Sequence, residues 1–118
     1  MSRETINENG KIVISKEVLA TIAGVAATDC FGVVGMTAKN IKDGIGTLLG
    51  RDSLSKGVEI DEKDDKLAIK VYIIVGYGTK ISVVAGNVMQ NIKYAVENTT
   101  GLKIDKVSVI VQGVRVLD

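Results

Sequence analysis

The run of residues with the most chemical promise is Gly76-Tyr77-Gly78-Thr79-Lys80. Glycines let backbone amides approach an anion, the start of a helix leaves N–H groups unpaired, and Thr79 and Lys80 add a hydroxyl and a positive charge. A phosphate or another small anion is the ligand such a corner would take. A Walker loop requires Gly-x-x-x-x-Gly-Lys-Ser/Thr, and neither order nor spacing meets that requirement here. The competing reading is a tight turn in which Thr79 caps the helix that follows. The acids Glu59, Asp61, Glu62, Asp64 and Asp65 lack the ligand spacing of a calcium loop. With Lys63 and Lys66 interleaved, they read as a solvated turn.

Two glycine-containing runs resemble known binding loops and fall short of both. Gly44-Ile45-Gly46-Thr47-Leu48-Leu49-Gly50 has one residue too many before its third glycine for a dinucleotide fingerprint. Gly32-Val33-Val34-Gly35 has the Gly-x-x-Gly outline of KH RNA-binding loops, which favour polar or basic middle residues; both here are Val. The chain has no His, which excludes a Ser-His-Asp or Cys-His nucleophile and His metal ligation. Its one Cys, Cys30, closes no internal disulfide and builds no Cys zinc site. No catalytic, cofactor or metal residues are expected.

The elements that would position these residues follow from periodicity. Lys11-Ile12-Val13-Ile14 after the Asn9-Gly10 turn reads as a short strand, and residues 1–9 as a polar, frayed end. Ser15 is a good N-cap for a helix ending near Asp29, with Val18, Ile22, Val25 and Ala26 on one stripe and Leu19, Ala20, Ala23, Gly24 and Ala27 extending it. Phe31 to Met36 suggests a short strand or bulged connection, and residues from Asn40 to Leu49 a weak helix. Residues 57–76 read as a β-hairpin whose long second strand has Leu67, Ile69, Val71, Ile73 and Val75 on one face. Residues from about Lys80 to Asn98 form the longest helix, closed at Thr100-Gly101. A last strand runs from about Ile104 to Val116. Strand, helix and strand over residues 66–116 make a right-handed crossover between parallel strands. The expected fold is α+β: a small mixed sheet with the long helix on one face and the N-terminal helices on the other.

The 118 residues allow one domain, set at residues 10–118. With 46% hydrophobic and 25% charged residues it is globular, and Lys plus Arg at 15 against Asp plus Glu at 14 lacks the basic excess of a nucleic-acid binder. No apolar run approaches the ~20 residues of a membrane span, and residues 1–4 carry no apolar signal region behind them. A soluble, cytoplasmic protein without direct membrane insertion is expected.

Read whole, residues 5–116 resemble the alkaline shock protein 23 family, envelope stress response proteins of Gram-positive bacteria. The resemblance is carried by Asn9-Gly10-Lys11-Ile12-Val13-Ile14-Ser15, Ala20-Thr21-Ile22-Ala23-Gly24-Val25-Ala26 and Gly32-Val33-Val34-Gly35-Met36. It continues through Tyr77-Gly78-Thr79-Lys80-Ile81 and Val109-Ile110-Val111-Gln112-Gly113-Val114. It implies a non-enzymatic cytoplasmic protein that self-associates, in a short form lacking polar tails. It implies as partners a membrane-anchor protein or a neighbouring kinase of the fatty-acid type. The partly apolar second sheet face, with Tyr72, Ile74, Ile110 and Val114, is the expected contact surface. The alternative is an accessory module holding an anion or acyl phosphate at Thr79 and Lys80, working with such a kinase. A KH-like RNA binder comes third, since one Phe and three Tyr leave few stacking platforms.

Overall fold

The computed structural model describes residues 2–7, 9–39, 48–64 and 66–116. The Asn9-Gly10 turn signal acts in both directions along the chain. It closes a hairpin between β1 (Ser2–Asn7) and β2 (Gly10–Ser15), with Ser2 opposite Ser15 and Asn7 opposite Gly10. Ser2–Asn7, within the stretch read as frayed from its polarity, is therefore a paired strand. This ribbon is a sheet of its own in a chain measuring 54 × 25 × 24 Å.

Ser15 then ends β2 and starts α1 (Lys16–Thr28): its hydroxyl oxygen accepts from the Val18 N–H at 3.2 Å, and Asp29 is the C-cap. β3 (Val33–Met36) is short and bulged between Val33 and Gly35. The helix expected from Asn40 to Leu49 lies outside the described residues except for Leu48 and Leu49, which have no regular structure. A 3₁₀ segment that periodicity did not reveal, Arg51–Gly57, precedes β4 (Val58–Lys63). β5 (Lys66–Gly76) follows, with Lys66 opposite Lys63 and Asp64 at φ 53°. α2 (Ile81–Thr100) ends on Gly101 at φ 77°, and β6 (Lys106–Arg115) closes the fold.

β5 is the centre of a mixed four-stranded sheet. β4 pairs antiparallel with its first half (Val58 opposite Val71) and β3 with its second half (Val33 opposite Val75). β6 runs parallel along residues 68–76 of β5. Because β6 pairs with the same residues as both, β3 and β4 lie end to end on one side of β5 and β6 is the edge strand on the other. The register of β6 shifts between the partners of Ile73 and Ile74, which are Val111 and Gly113. Gln112 is thus the extra residue of a bulge.

One face of β5 carries Leu67, Ile69, Val71, Ile73 and Val75, each 1% exposed or less. At ~2 kcal/mol per buried aliphatic side chain this face alone contributes on the order of 10 kcal/mol before chain entropy is charged. It packs with Leu19, Ala23 and Ala27 of α1 and Val84, Val88, Ile92 and Val96 of α2 in one core. The α+β class and mixed sheet are those expected, but α1 lies beside α2 on this face rather than across the sheet. The small residues of α1 allow that close approach, and the Asn91 amide of α2 donates to the Ala26 carbonyl of α1 at 2.7 Å.

Candidate functional site

The second sheet face is more closed than its residue pattern suggests. Tyr72 is 7% and Ile74 3% exposed, whereas Ile110 and Val114 on β6 are 37% and 49% exposed. The bulge explains part of this. Gln112 lies across the second face, where its amide donates to the Ala38 carbonyl at 3.2 Å. A Cβ at Gly113 would stand 3.2 Å from Ile74 Cδ1, so Gly113 also meets the second face. Two consecutive residues on one side put Val114, opposite Val75, on the other. The structure therefore brings Tyr72, Ile74 and Ile110 onto one face and separates Val114 from them. The strict alternation of the sequence reading fails at that one inserted residue.

Tyr72 is held in a charged network. Its hydroxyl donates to Glu59 Oε1, and Lys39 Nζ donates to Glu59 Oε2 at 2.9 Å. The Tyr72 bond, then the Lys39 bond, lowers the Glu59 carboxyl below its ordinary value. Burial first, then the neighbouring carboxylate, pushes the Tyr72 hydroxyl up to about 12. The network ties the end of β3 to β4 and β5. Every buried side-chain polar atom among the described residues has a partner, so no orphaned group on this face calls for a ligand.

At the strand-to-helix corner the Thr79 hydroxyl donates to the Gly76 carbonyl at 2.7 Å. The N-cap of α2 is Lys80, with no side-chain cap bond, which corrects the reading of Thr79 as cap. The hydroxyl proton that an anion would need is thus spent on the turn, and Lys80 stands exposed. Gly32 has φ +91°, and a Cβ there would stand 2.6 Å from Val84 Cγ2. The Gly-x-x-Gly loop is therefore packed against α2 rather than open for a nucleic-acid backbone. Burial, the largest effect on Cys30, raises its thiol pKa, as does Asp29, while the Asn91 hydrogen bond lowers it. That is the opposite of an activated nucleophile. Among the described residues no group of three or more His, Cys, Asp or Glu side chains could hold a metal.

What the surface does present is aromatic. Phe31 is 88%, Tyr77 76% and Tyr94 69% exposed. Phe31 and Tyr94 border a hollow of 430 Å³ between the end of α1 and α2. Through Asp29, Asn91 and Tyr94 it continues into an apolar groove of 480 Å³ floored by Ile22, Val25 and Ala95. This trough was not foreseen from the sequence. Tyr94 gave a signal, since it falls off the stripe of Val84, Val88, Ile92 and Val96 and onto the polar face with Asn87 and Gln90.

The model of the alkaline shock protein 23 family, described as having a cell envelope-related function, matches residues 4–116. The chain is 50% identical over 117 residues to the uncharacterized protein YloU of Bacillus subtilis, covering 98% of each. It is 40% identical to the uncharacterized protein Spy1614 of Streptococcus pyogenes, over 93% of this chain and 92% of that one. A second Bacillus subtilis relative, the uncharacterized protein YqhY, is 36% identical over 90% of this chain and 78% of its own length. No helix of the described residues is long and apolar enough to cross a membrane. The chain belongs to the alkaline shock protein 23 family, whose described function is related to the cell envelope.

Proposed function

We propose that this protein is a non-enzymatic interaction module of the envelope stress response, which associates with copies of itself in the cytoplasm and is held near the membrane by a partner protein. The observation that carries the reading is the placement of its aromatic side chains. Of one Phe and three Tyr, only Tyr72 is buried, and the other three are more than two-thirds exposed. A folded chain gains by burying such side chains, and protein–protein interfaces concentrate them. Size-exclusion chromatography with light scattering at tens of micromolar tests self-association directly. A mass above that of one chain is the expected result, and a strict monomer refutes it. A membrane-anchor protein or a fatty-acid-type kinase as partner is tested by pull-down from native cells at low and moderate salt. Recovery of neither would remove that part of the proposal.

A further inference from the structure

We infer that the helical layer, rather than the sheet face, is the self-association surface, and that it takes a second copy of this chain about a two-fold axis with Phe31 of each copy in the trough of the other. The inference rests on the self-association proposed above and names the surface that performs it.

The outer stripe of α1 is apolar where solvent meets it: Val18 is 48% and Val25 36% exposed, with Ile22 half-buried between them. Tyr94 of α2 stands beside that stripe. The trough between the helices runs from Phe31 and Asp29 at one end to Thr21 and Asn98 at the other, with Val25, Asn91 and Tyr94 midway. Phe31 projects from one lip of this trough and is too exposed to contribute to the fold of its own chain. A knob at one end and an apolar hollow along the rest is a self-complementary arrangement. A two-fold axis near Val25 and Tyr94 carries each Phe31 across to the Ile22 and Ala95 side of the other copy's trough and brings Val25 and Tyr94 close to their own counterparts.

The area is sufficient. Taking about 200 Å² for a fully exposed aromatic side chain, Phe31, Tyr94, Val18 and Val25 together offer on the order of 400 Å² of apolar surface per copy. Two copies contribute about 800 Å², and with the polar rim that accompanies an interface the total reaches roughly 1,300–1,500 Å², within the range of stable complexes. Of the four residues of the expected contact face, Tyr72 and Ile74 are buried and Val114 lies on the opposite side of the sheet, which leaves Ile110 alone exposed there.

Light scattering and sedimentation of the full chain test this with Phe31→Ala, Val25→Glu and, as a control on the sheet, Ile110→Lys. The native chain is expected to be dimeric, Phe31→Ala to raise the dissociation constant at least tenfold, Val25→Glu to be monomeric, and Ile110→Lys to match the native chain. Circular dichroism checks that each variant is folded. Phe31→Ala is the decisive variant should Val25→Glu fail to fold. In a Cys30→Ser background, Val25→Cys is expected to form a self-disulfide on mild oxidation, while Ser108→Cys does not. A dimer that survives Phe31→Ala and shows no Val25→Cys cross-link overturns the helical-layer surface and leaves self-association standing. A native chain that stays monomeric overturns both.

Discussion

Replacing Gly24 by Ala sets two opposing effects against each other, and the structure decides which wins. In an exposed helix the change is favourable by about 1 kcal/mol, because Ala loses less backbone entropy. At Gly24, however, the new Cβ would stand 2.9 Å from Leu54 Cβ and 3.3 Å from the Leu54 carbonyl oxygen. Carbon atoms in ordinary contact are about 3.5–4.0 Å apart, so the 3₁₀ segment would have to retreat by more than half an ångström. The end of that segment is closely packed too, since a Cβ at Gly57 would stand 2.8 Å from the Thr37 carbonyl oxygen. Overpacking of this kind costs about 1–3 kcal/mol, and because the Gly24 approach is to Leu54 backbone as well as side chain, the upper half of that range applies. The net expectation is a loss of about 1–2 kcal/mol. Gly86 in α2 is the matched control: a Cβ there meets nothing within 4 Å, so Gly86→Ala should stabilise by about 0.5–1 kcal/mol. With an unfolding entropy of about 2.1 cal/mol/K per residue, 1 kcal/mol shifts the Tm of a chain this long by about 4 °C. Thermal and urea melts, run at one protein concentration because association also shifts Tm, should move the two variants in opposite directions. If Gly24→Ala melts at or above the native chain, then α1 and the 3₁₀ segment are not in the contact on which the argument depends.

Ala23, fully buried on the same helix, should tolerate Leu no better: Ala23→Leu is expected to cost about 1–3 kcal/mol in urea melts. Thr79→Ala removes the bond to the Gly76 carbonyl and should cost about 1 kcal/mol, without weakening binding of inorganic phosphate by calorimetry. The Glu59 carboxyl is held low in the folded chain, so its contribution is complete above the ordinary Glu value of about 4.3 and is lost as pH falls through the folded value. Glu59→Gln should therefore flatten the acid limb of stability against pH. The Tyr72 hydroxyl is pushed up to about 12, so its contribution is complete below the ordinary Tyr value of about 10 and is lost between there and the folded value. Tyr72→Phe should flatten that alkaline limb and raise the Glu59 pKa followed by carboxyl NMR.

The elements that could be read in advance are those where a single local rule acts. Ser15 caps α1 and Gly101 closes α2 because an unpaired N–H and a left-handed residue have few chemical solutions. The five-residue aliphatic face of β5 announced the core because large aliphatic residues at every second position from Leu67 to Val75 fit little else. The 3₁₀ segment was missed because Arg51–Gly57 has no period to detect; it forms where Leu54 fits against Gly24. The placement of α1 was missed for a related reason. A helix rich in Ala and Gly shows that something comes close to it, but not whether that neighbour is a sheet or a second helix. Here both are present on one face, and the Asn91-to-Ala26 bond between the helices joins residues far apart in sequence.

The expected contact face is divided by one residue. Alternation from Ile110 assigns Val114 and Tyr72 to the same side, and the bulge at Gln112 reverses the assignment for everything after it. A bulge in a parallel pair leaves little trace in composition, though Gln112-Gly113 within a valine-rich strand is where one would be sought. The aromatic trough was the more readable of the two surfaces. Tyr94 stands among Asn87, Gln90 and Asn91 on the side of α2 away from its buried stripe, and a large ring on a polar helix face is an exposed ring unless something covers it. Phe31 follows the end of α1 and precedes a glycine pressed against Val84, so the chain turns there with its one Phe directed outwards. Counting aromatics leaves few stacking platforms for RNA. Their positions matter more: a chain with four aromatic rings that leaves three of them in water has kept them from its core, and binding a second copy is the role that the trough beside two of them favours.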